Sequence, residues 1–171
     1  MTPSRILLPS TGPDDWRRFL ADPDRHWAKG YSARTLAHAW EAAGGWPPEI
    51  GAILDAAFGN TDLLLAIPER KTPLPGGRRE SQSDVFALGR HAAGLVAVTV
   101  EGKVDEPFGP TLGEWLRDAS PGKLERLAFL QDLLGIADPP PDLSYQLLHR
   151  PCAHESIGVF LVARQAPEGE A

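Results

Sequence analysis

The fold of this chain is decided by residues 82–103, which read QSDVFALGRHAAGLVAVTVEGK. Two apolar runs, 82–89 and 95–103, are separated by the short segment Gly89-Arg90-His91-Ala92-Ala93-Gly94. Both runs are rich in Val, Ala, Leu and Phe, and the short polar loop between them predicts an antiparallel hairpin of two strands. Because Asp84, Glu101 and Lys103 interrupt these apolar runs, the same hairpin also carries a candidate site.

The strand register decides whether these polar groups meet. Side chains alternate between the faces of a strand, so Glu101 and Lys103 share one face of the second strand. In an antiparallel pair the numbers of facing residues have a constant sum. An odd sum of 183 or 185 puts Asp84 opposite Thr99 or Glu101, on the face of Lys103, whereas an even sum separates the carboxylates. The sequence leaves the register open, although a loop centred near residues 91–93 allows an odd sum.

An odd register has a chemical consequence. Two carboxylates side by side at strand ends repel each other, and a divalent cation removes that repulsion. Oxygen donors of this kind suit Mg²⁺ or Mn²⁺. Lys103 is then placed to orient an attacking water and to stabilise charge on a phosphorus atom. The set predicts phosphodiester hydrolysis, but Glu101-x-Lys103 in isolation is also compatible with a solvated ion pair of little energetic value.

The rest of the chain predicts an α/β fold. Periodic apolar residues and Pro, Gly and Ser boundaries mark the elements on either side of the hairpin. The predicted helices cover 14–20, 32–43, 47–58, 111–119, 121–134 and 142–150, with Ser32 as the N-cap of the second, and the further strands cover 62–68 and 157–163. This order predicts a mixed central sheet of about four strands with extra N-terminal helices. Glu69-x-Lys71 follows Pro68, so we interpret it as capping a strand edge.

Length and composition favour one domain. A chain of 171 residues holds one core, for which we expect an N-terminal arm at 1–30, a core at 31–165 and a flexible tail at 166–171. No apolar run approaches the ~18 residues of a membrane span, so no membrane partner is expected. The single cysteine, Cys152, is typical of a reducing compartment, and we expect a cytoplasmic location.

The charge distribution is uneven. The chain has a net charge of −6, which disfavours a general nucleic-acid coat. From residue 70 to residue 103, six basic residues oppose three acidic ones, so the net charge of this window is +3 and that of the remainder is −9. A locally basic strip fits an anionic substrate such as nucleic acid, and it also fits chance.

With these residues the chain resembles the PD-(D/E)XK nuclease superfamily, and most closely a bacterial family of unassigned activity within it. The resemblance covers roughly residues 25–150, and four stretches carry it: 64–79 (LLAIPERKTPLPGGRR), 81–90 (SQSDVFALGR), 100–109 (VEGKVDEPFG) and 145–150 (YQLLHR).

The resemblance implies a three-layer restriction-endonuclease-like core in αβββαβ order and a Mg²⁺- or Mn²⁺-dependent hydrolase. Asp84 and Glu101 would hold the metal with the Gly102 carbonyl, and Lys103 would be the catalytic lysine. Gln146 and Tyr145 would contact the substrate, and Glu41 stands where some members add a third carboxylate. Apart from the resemblance, Gln82 on the Asp84 face of its strand and Arg78 and Arg79 in the basic strip are further candidates for substrate binding. The order of Tyr145 and Gln146 departs from the Q-x-x-x-Y of the exonuclease-like branch, and Pro151 interrupts the expected helix. The resemblance also implies a homodimer, and it allows an inactive binding module on the same fold.

Other motifs in the sequence favour structural roles over functional ones. His149, Cys152 and His154 suggest zinc but are more ordinary as helix-end and loop residues. Residues 76–79 suit a phosphate cradle but more often form a turn. Trp40 and Trp115 are expected in the core, whereas Trp27 and Trp46 remain open for base stacking. Ser81 and Ser83 show no His-acid partners, which disfavours a serine hydrolase.

Overall fold

The computed structural model describes residues 5–7, 10–28, 31–104, 107–153 and 158–164, and for residues 153 and 158–164 it describes the backbone. Six α-helices and four strands lie in these ranges. The helices are α1 (Pro23–His26), α2 (Ser32–Ala43), α3 (Pro48–Phe58), α4 (Leu112–Leu116), α5 (Pro121–Leu134) and α6 (Tyr145–His149). The strands are β1 (Asp62–Thr72), β2 (Ser81–His91), β3 (Gly94–Lys103) and β4 (Gly158–Arg164), and 3-10 turns cover Pro13–Phe19 and Pro151–Ala153.

The strands form one sheet in the order β1-β2-β3-β4. β1, β2 and β3 are antiparallel neighbours, and β4 runs parallel to β3. The α/β class predicted from the sequence is therefore confirmed. Among the described residues, no helix has the length and apolar character that crossing a membrane requires.

The hairpin of β2 and β3 closes on a two-residue turn. His91 pairs with Gly94, Val85 pairs with Val100, and every pair in this ladder sums to 185. Gly94 adopts a φ of 149°, a conformation that side-chain-bearing residues rarely accept, and so it suits the turn. The register is therefore odd, and Asp84 and Glu101 lie at facing positions on one side of the sheet.

β1 is longer than predicted, because Pro68 does not end it. β1 is an edge strand of the sheet, and Pro68 pairs with Val85 within the ladder. Two residues earlier, Ala66 exchanges hydrogen bonds with Arg5 and Leu7 on the side away from β2. The nitrogen of Pro68 points to that same outer side, so its missing N–H removes no bond to β2. The interpretation of Glu69-x-Lys71 as an edge cap outside the strand was wrong.

The described residues of the predicted N-terminal arm hold two short helical segments. A 3-10 turn at Pro13–Phe19 and the additional helix α1 replace the single predicted helix, and Trp16 is only 3% exposed. α2 starts at Ser32, but its N-cap is Tyr31 rather than Ser32, and no side chain caps it. Gly44 ends α2 in the left-handed region, as the sequence predicted.

Two hydrophobic clusters stabilise the chain. The first joins one face of the sheet to α2 and α3 and includes Trp40, Leu54, Val85 and Val98. The second lies among α4, α5 and α6, with Leu130 buried at its centre. Trp40 packs edge-on against Trp46 at a centroid distance of 5.9 Å. Both clusters bury large aromatic and aliphatic side chains, which is the dominant favourable term in folding.

The later elements depart from the predicted bounds in small ways. α4 and α6 have 5 residues each, shorter than the predicted helices over 111–119 and 142–150. β4 begins at Gly158, and Ile157, with which the predicted last strand started, lies outside the described residues. The predicted tail at 166–171 also lies outside them, and the division into arm and core remains a prediction.

Candidate functional site

Three carboxylates lie in a row across three neighbouring strands. Asp84 faces Glu101 by the register of β2 and β3. On the other side of Asp84, the pairs Pro68–Val85 and Arg70–Ser83 bracket Glu69 and place it opposite Asp84. The row Glu69–Asp84–Glu101 therefore occupies one face of the sheet near the ends of its strands.

Asp84 is held by the backbone of the neighbouring strand. The Gly102 N–H donates a hydrogen bond of 2.8 Å to Asp84 Oδ2, just beyond the last pair of the β2–β3 ladder. Burial raises the pKa of Asp84 well above its usual range, and the charges of Glu101 and Glu69 raise it further. The Gly102 hydrogen bond opposes that shift without cancelling it.

Glu101 is only 2% exposed and is surrounded by cationic and amide donors. Lys103 Nζ lies 3.1 Å from its Oε1, and Arg150 Nε lies 3.1 Å from its Oε2. Gln146 Nε2 also donates to Oε1. The contact between Glu101 Oε2 and Arg150 Nε is an ion pair without hydrogen-bond geometry. Two cations therefore compensate the buried Glu101 carboxylate.

Glu69 is a site residue that the sequence reasoning missed. Gln82 Nε2 donates a hydrogen bond of 2.5 Å to Glu69 Oε2. Burial is the largest cause that raises the pKa of Glu69, to about 7; Gln82 opposes it and the charge of Glu101 adds to it. The available signal was the second E-x-K spacing at Glu69-x-Lys71, which becomes informative once β1 is extended through its edge proline.

The ion pairs of the site gather at Glu101. Lys103 and Arg150 both pair with Glu101, and Arg25 lines the cavity that these residues share. The pKa values of Glu69 and Asp84 are raised chiefly by burial and further by the neighbouring carboxylates.

A cavity of about 360 Å³ opens onto these residues. Its sheet side includes Glu69, Gln82, Asp84, Glu101 and Lys103, and Gln146 and Arg150 border it from α6 and the residue that ends that helix. The opposite wall comes from the N-terminal region and includes Arg25, His26 and Tyr31. A cleft of this size suits a small ligand or one unit of a polymer.

The predicted residues of α6 divide between two environments. Gln146 and Arg150 are four positions apart, so they share one helix face and both reach Glu101. Tyr145 points elsewhere: its ring stacks on Trp115 at a centroid distance of 3.9 Å within the second cluster. Consecutive helix residues are rotated by about 100°, so Tyr145 and Gln146 do not share a face. The structure does not bring Tyr145 to the site.

Three other predicted residues also lie away from the cavity. Glu41 accepts hydrogen bonds from Trp16 Nε1, at 2.7 Å, and from Ser10 Oγ, so its carboxylate is committed to the N-terminal segment. Arg78 and Arg79 are exposed in the loop between β1 and β2 and do not line the described cavity.

Residues 76–79 belong to a longer loop whose carbonyls surround the guanidinium of Arg126. Arg126 donates to the carbonyls of Leu74, Pro75 and Arg79 at 3.1, 2.8 and 2.9 Å. Gly76 sits so close to Gly122 that a Cβ would lie 2.0 Å from its carbonyl oxygen. Carbonyls that converge on a guanidinium do not form a nest for an anion.

The remaining motifs have structural roles. Trp27 and Trp46, which the sequence left open for base stacking, pack against the first cluster. Ser81 Oγ lies 2.9 Å from His149 Nδ1, but Ser81 is 2% exposed, and burial together with nearby arginines lowers the pKa of His149 to about 3. Cys152 Sγ donates to the Leu148 carbonyl at 3.2 Å, and His154 lies outside the described residues.

The donor set fits a hard divalent cation. Within the part of the chain that the structure describes, no three His, Cys, Asp or Glu side chains form a preassembled metal cluster. Mg²⁺ needs less than that, because it is usually held by one or two carboxylates, waters and substrate phosphate. Asp84 and Glu101 supply the two carboxylates, and both line the cavity described above.

Comparison with known proteins gives one match. The sequence model of a domain of unknown function, DUF6946, matches residues 9–154. No curated protein and no solved structure matches the chain. The matched range includes every residue of the site described above.

Proposed function

The chain belongs to the DUF6946 family, a domain of unknown function, and we propose that it is a metal-dependent nuclease of the PD-(D/E)XK type. The proposed reaction is hydrolysis of a phosphodiester bond in nucleic acid, with Mg²⁺ or Mn²⁺ as cofactor. The observation that carries the proposal is the facing pair Asp84 and Glu101 with Lys103 on the same side of the sheet. We extend the proposal to the fold: the antiparallel strands and flanking helices would be a restriction-endonuclease-like core.

Each group has a role that its surroundings support. Asp84 and Glu101 would hold the cation, which when bound polarises a phosphoryl oxygen and neutralises the carboxylates. Lys103 Nζ, at 3.1 Å from Glu101, is near enough to orient a water bound at this site and to stabilise charge as it develops on the phosphoryl group. The Gly102 N–H keeps the Asp84 carboxylate in place. The Gly102 carbonyl, which the resemblance implies as a third ligand, remains a prediction.

The substrate side of the cavity is cationic and amide-rich. Arg150 has a side chain that is 15% exposed, and Lys103 has one that is 11% exposed, so both retain access to the cavity. Gln146 and Gln82 add amide donors. These groups recognise phosphate oxygens through charge-assisted hydrogen bonds. Of the six residues in the basic strip, Lys103 is the one that lines this described cavity.

A second function is favoured by one specific feature. Glu101 is already neutralised by Lys103 and Arg150, which is compatible with a nuclease-fold protein that binds a partner and does not catalyse. Such a protein would bind nucleic acid without requiring a divalent cation. The two functions therefore differ in whether metal binds at Asp84.

Metal titration separates the two functions. Isothermal titration of the wild type with Mn²⁺ and Mg²⁺ is expected to show one saturable site, and Asp84→Asn is expected to weaken it at least tenfold. The matched control is Asp62→Asn, which removes an exposed carboxylate of the same sheet that pairs with Arg90. Absence of binding by the wild type, or equal binding by Asp84→Asn, overturns the metal-dependent proposal.

Hydrolysis assays test the reaction itself. Single- and double-stranded DNA and RNA are incubated with the wild type and Mn²⁺, and Lys103→Ala is expected to lower the rate about 10²-fold or more, the scale of a lost charge-stabilising donor. Arg90→Ala is the control, because Arg90 is exposed and pairs with Asp62 far from the cavity. Equal rates for wild type and Lys103→Ala contradict the assignment. The homodimer remains a prediction, which sedimentation analysis checks.

A further inference from the structure

The groups that the proposed function assigns to catalysis are recessed. Glu101 is 2% exposed, the side chain of Lys103 is 11% exposed, and both line the cavity of about 360 Å³. A phosphodiester must therefore enter this cavity to meet Lys103. A duplex carries its phosphates on a stiff rod, and one of its nucleotides must be unpaired and unstacked before it enters a pocket. A single strand bends and inserts one nucleotide without that cost.

The cavity wall opposite the sheet presents two aromatic rings and an arginine. Arg25 and His26 come from α1, and Tyr31 lies directly before α2. The ring centroids of His26 and Tyr31 are 5.9 Å apart. Asp22 caps α1 by accepting a hydrogen bond of 3.2 Å from the Arg25 N–H. Trp27, at the end of α1, packs against the first hydrophobic cluster, so this wall is attached to the core.

The requirements of the fold do not explain an aromatic residue at Tyr31. It is the N-cap residue of α2, a position where Ser, Thr, Asp and Asn are preferred because their side chains accept a backbone hydrogen bond. No side chain caps α2 at this end. The half-buried Tyr31 belongs to neither of the two described hydrophobic clusters, and it lines the cavity. The position therefore sacrifices a cap and places a flat ring at the site.

A further aromatic ring lies beside Lys103. Phe108 follows β3 and is 39% exposed, and Lys103 Nζ lies 5.6 Å from the centroid of its ring. Phe108 is not among the residues that line the described cavity, so its ring stands next to the lysine but outside the recess. Two separate parts of the chain therefore bring aromatic rings to the neighbourhood of Lys103.

We propose that the substrate is a single-stranded nucleic acid, with one base stacked on Tyr31 inside the cavity and a neighbouring base stacked on Phe108 outside it. This inference rests on the proposed function, whose substrate it names. Stacking on aromatic side chains suits single strands of any sequence, because every base has a π face and the bases of a duplex are already stacked on one another. The exposed Arg25 supplies a charge-assisted contact to a phosphate.

Fluorescence anisotropy in the presence of EDTA measures binding without hydrolysis. Oligonucleotides of one sequence are compared as single-stranded DNA, single-stranded RNA and double-stranded DNA. The wild type is expected to bind at least one of the single strands about tenfold or more tightly than the duplex, since two bases stack. Tyr31→Ala is expected to weaken that binding about fivefold or more, the smaller loss found for one stacked base. Tyr31→Phe keeps the ring and is expected to bind as the wild type does.

Two further variants keep the test decisive if Tyr31→Ala does not fold. Phe108→Ala removes an exposed ring and is expected to weaken single-strand binding by a similar factor with an unchanged Tm. His91→Ala is the matched control, because its ring lies at the far end of β2 against Phe58, at a centroid distance of 5.2 Å.

The outcomes separate this inference from the proposed function. Equal affinity for single strands and duplex, or wild-type affinity in both Tyr31→Ala and Phe108→Ala, overturns the inference even where the wild type hydrolyses nucleic acid. A preference for single strands that depends on both rings supports it. If the preferred strand is then not hydrolysed in Mn²⁺, the catalytic part of the proposed function fails and the assignment of the bound strand stands.

Discussion

At the scale of single residues, the glycine between Glu101 and Lys103 explains how the site and the core share one strand. Side chains alternate, so Glu101 and Lys103 face the cavity while position 102 faces α2. A Cβ at Gly102 would lie 2.6 Å from Leu36 Cδ1 and 2.9 Å from Ser32 Cβ. Glycine therefore lets α2 approach β3 closely, which places the start of α2 at the rim of the cavity.

Gly102→Ala is expected to lower the free energy of unfolding by about 1–3 kcal/mol, because the added methyl group overpacks the contact with α2. Urea denaturation monitored by tryptophan fluorescence measures the loss. Gly109→Ala is the matched control, since nothing lies within 4 Å of a Cβ there. Equal losses for the two variants would show that close packing at Gly102 is not the cause.

At the scale of elements, α5 anchors the loop that joins β1 to β2. Ser120 Oγ accepts from the Lys123 N–H at 3.3 Å, Pro121 opens the helix, and Gly135 ends it in the left-handed region. From the second turn of the helix, Arg126 reaches the loop carbonyls. The anchored loop leads into Ser81 and the start of β2, and thus toward Gln82 and Asp84.

Replacing the guanidinium group of Arg126 is expected to weaken the attachment of this loop to α5. Arg126→Lys keeps the charge, but a lysine cannot donate hydrogen bonds to the carbonyls of Leu74, Pro75 and Arg79 at the same time. The free energy of unfolding is therefore expected to fall by about 1–3 kcal/mol. Urea denaturation gives the value. Arg117→Lys, at an exposed position, is the control and should change stability by less than about 0.5 kcal/mol. Similar losses at both positions would contradict an anchoring role.

At the scale of the whole molecule, two partly buried groups give the stability opposite dependences on pH. The pKa of His149 falls from 6.5 to about 3, mainly through burial, so the unfolded chain binds more protons and stability rises with pH in that window. The pKa of Glu69 rises from 4.5 to about 7, so the folded chain binds more protons and stability falls as pH rises between those values.

The variant Glu69→Gln isolates the pH dependence of stability that Glu69 causes. The difference in unfolding free energy, variant minus wild type, is expected to grow as pH rises from about 4.5 to about 7, by at most about 1.4 kcal/mol per pH unit for one proton. Above that window the difference levels off. Urea denaturation at several pH values in the presence of EDTA measures it, and Glu80→Gln is the control. A difference that does not vary with pH would show that Glu69 does not titrate in this range.

Some features of this site were predictable because they depend on local chemistry. The pairing of two apolar runs across a short loop predicted the hairpin, and strict alternation put Glu101 and Lys103 on one face. The Ser120-Pro121 start of α5 was equally clear. Prediction failed where a contact between distant residues decided the outcome. β1 continues through Pro68 because the nitrogen of this proline faces the outer side of the strand, where Arg5 and Leu7 lie, and not β2. Tyr145 stacks on Trp115 and so does not reach the cavity.

The sequence by itself determined the α/β class, the hairpin and the identities of Asp84, Glu101 and Lys103, because periodicity, turn residues and capping act over a few neighbouring positions. The tertiary structure alone decided the register that sums to 185 and the arrival of Glu69 and Arg150 beside Glu101. These residues span positions 69 to 150, and only strand pairing and helix packing bring such distant positions together. The physical reason is that a one-residue slip in pairing costs nothing in local propensity but reverses every side chain of the strand.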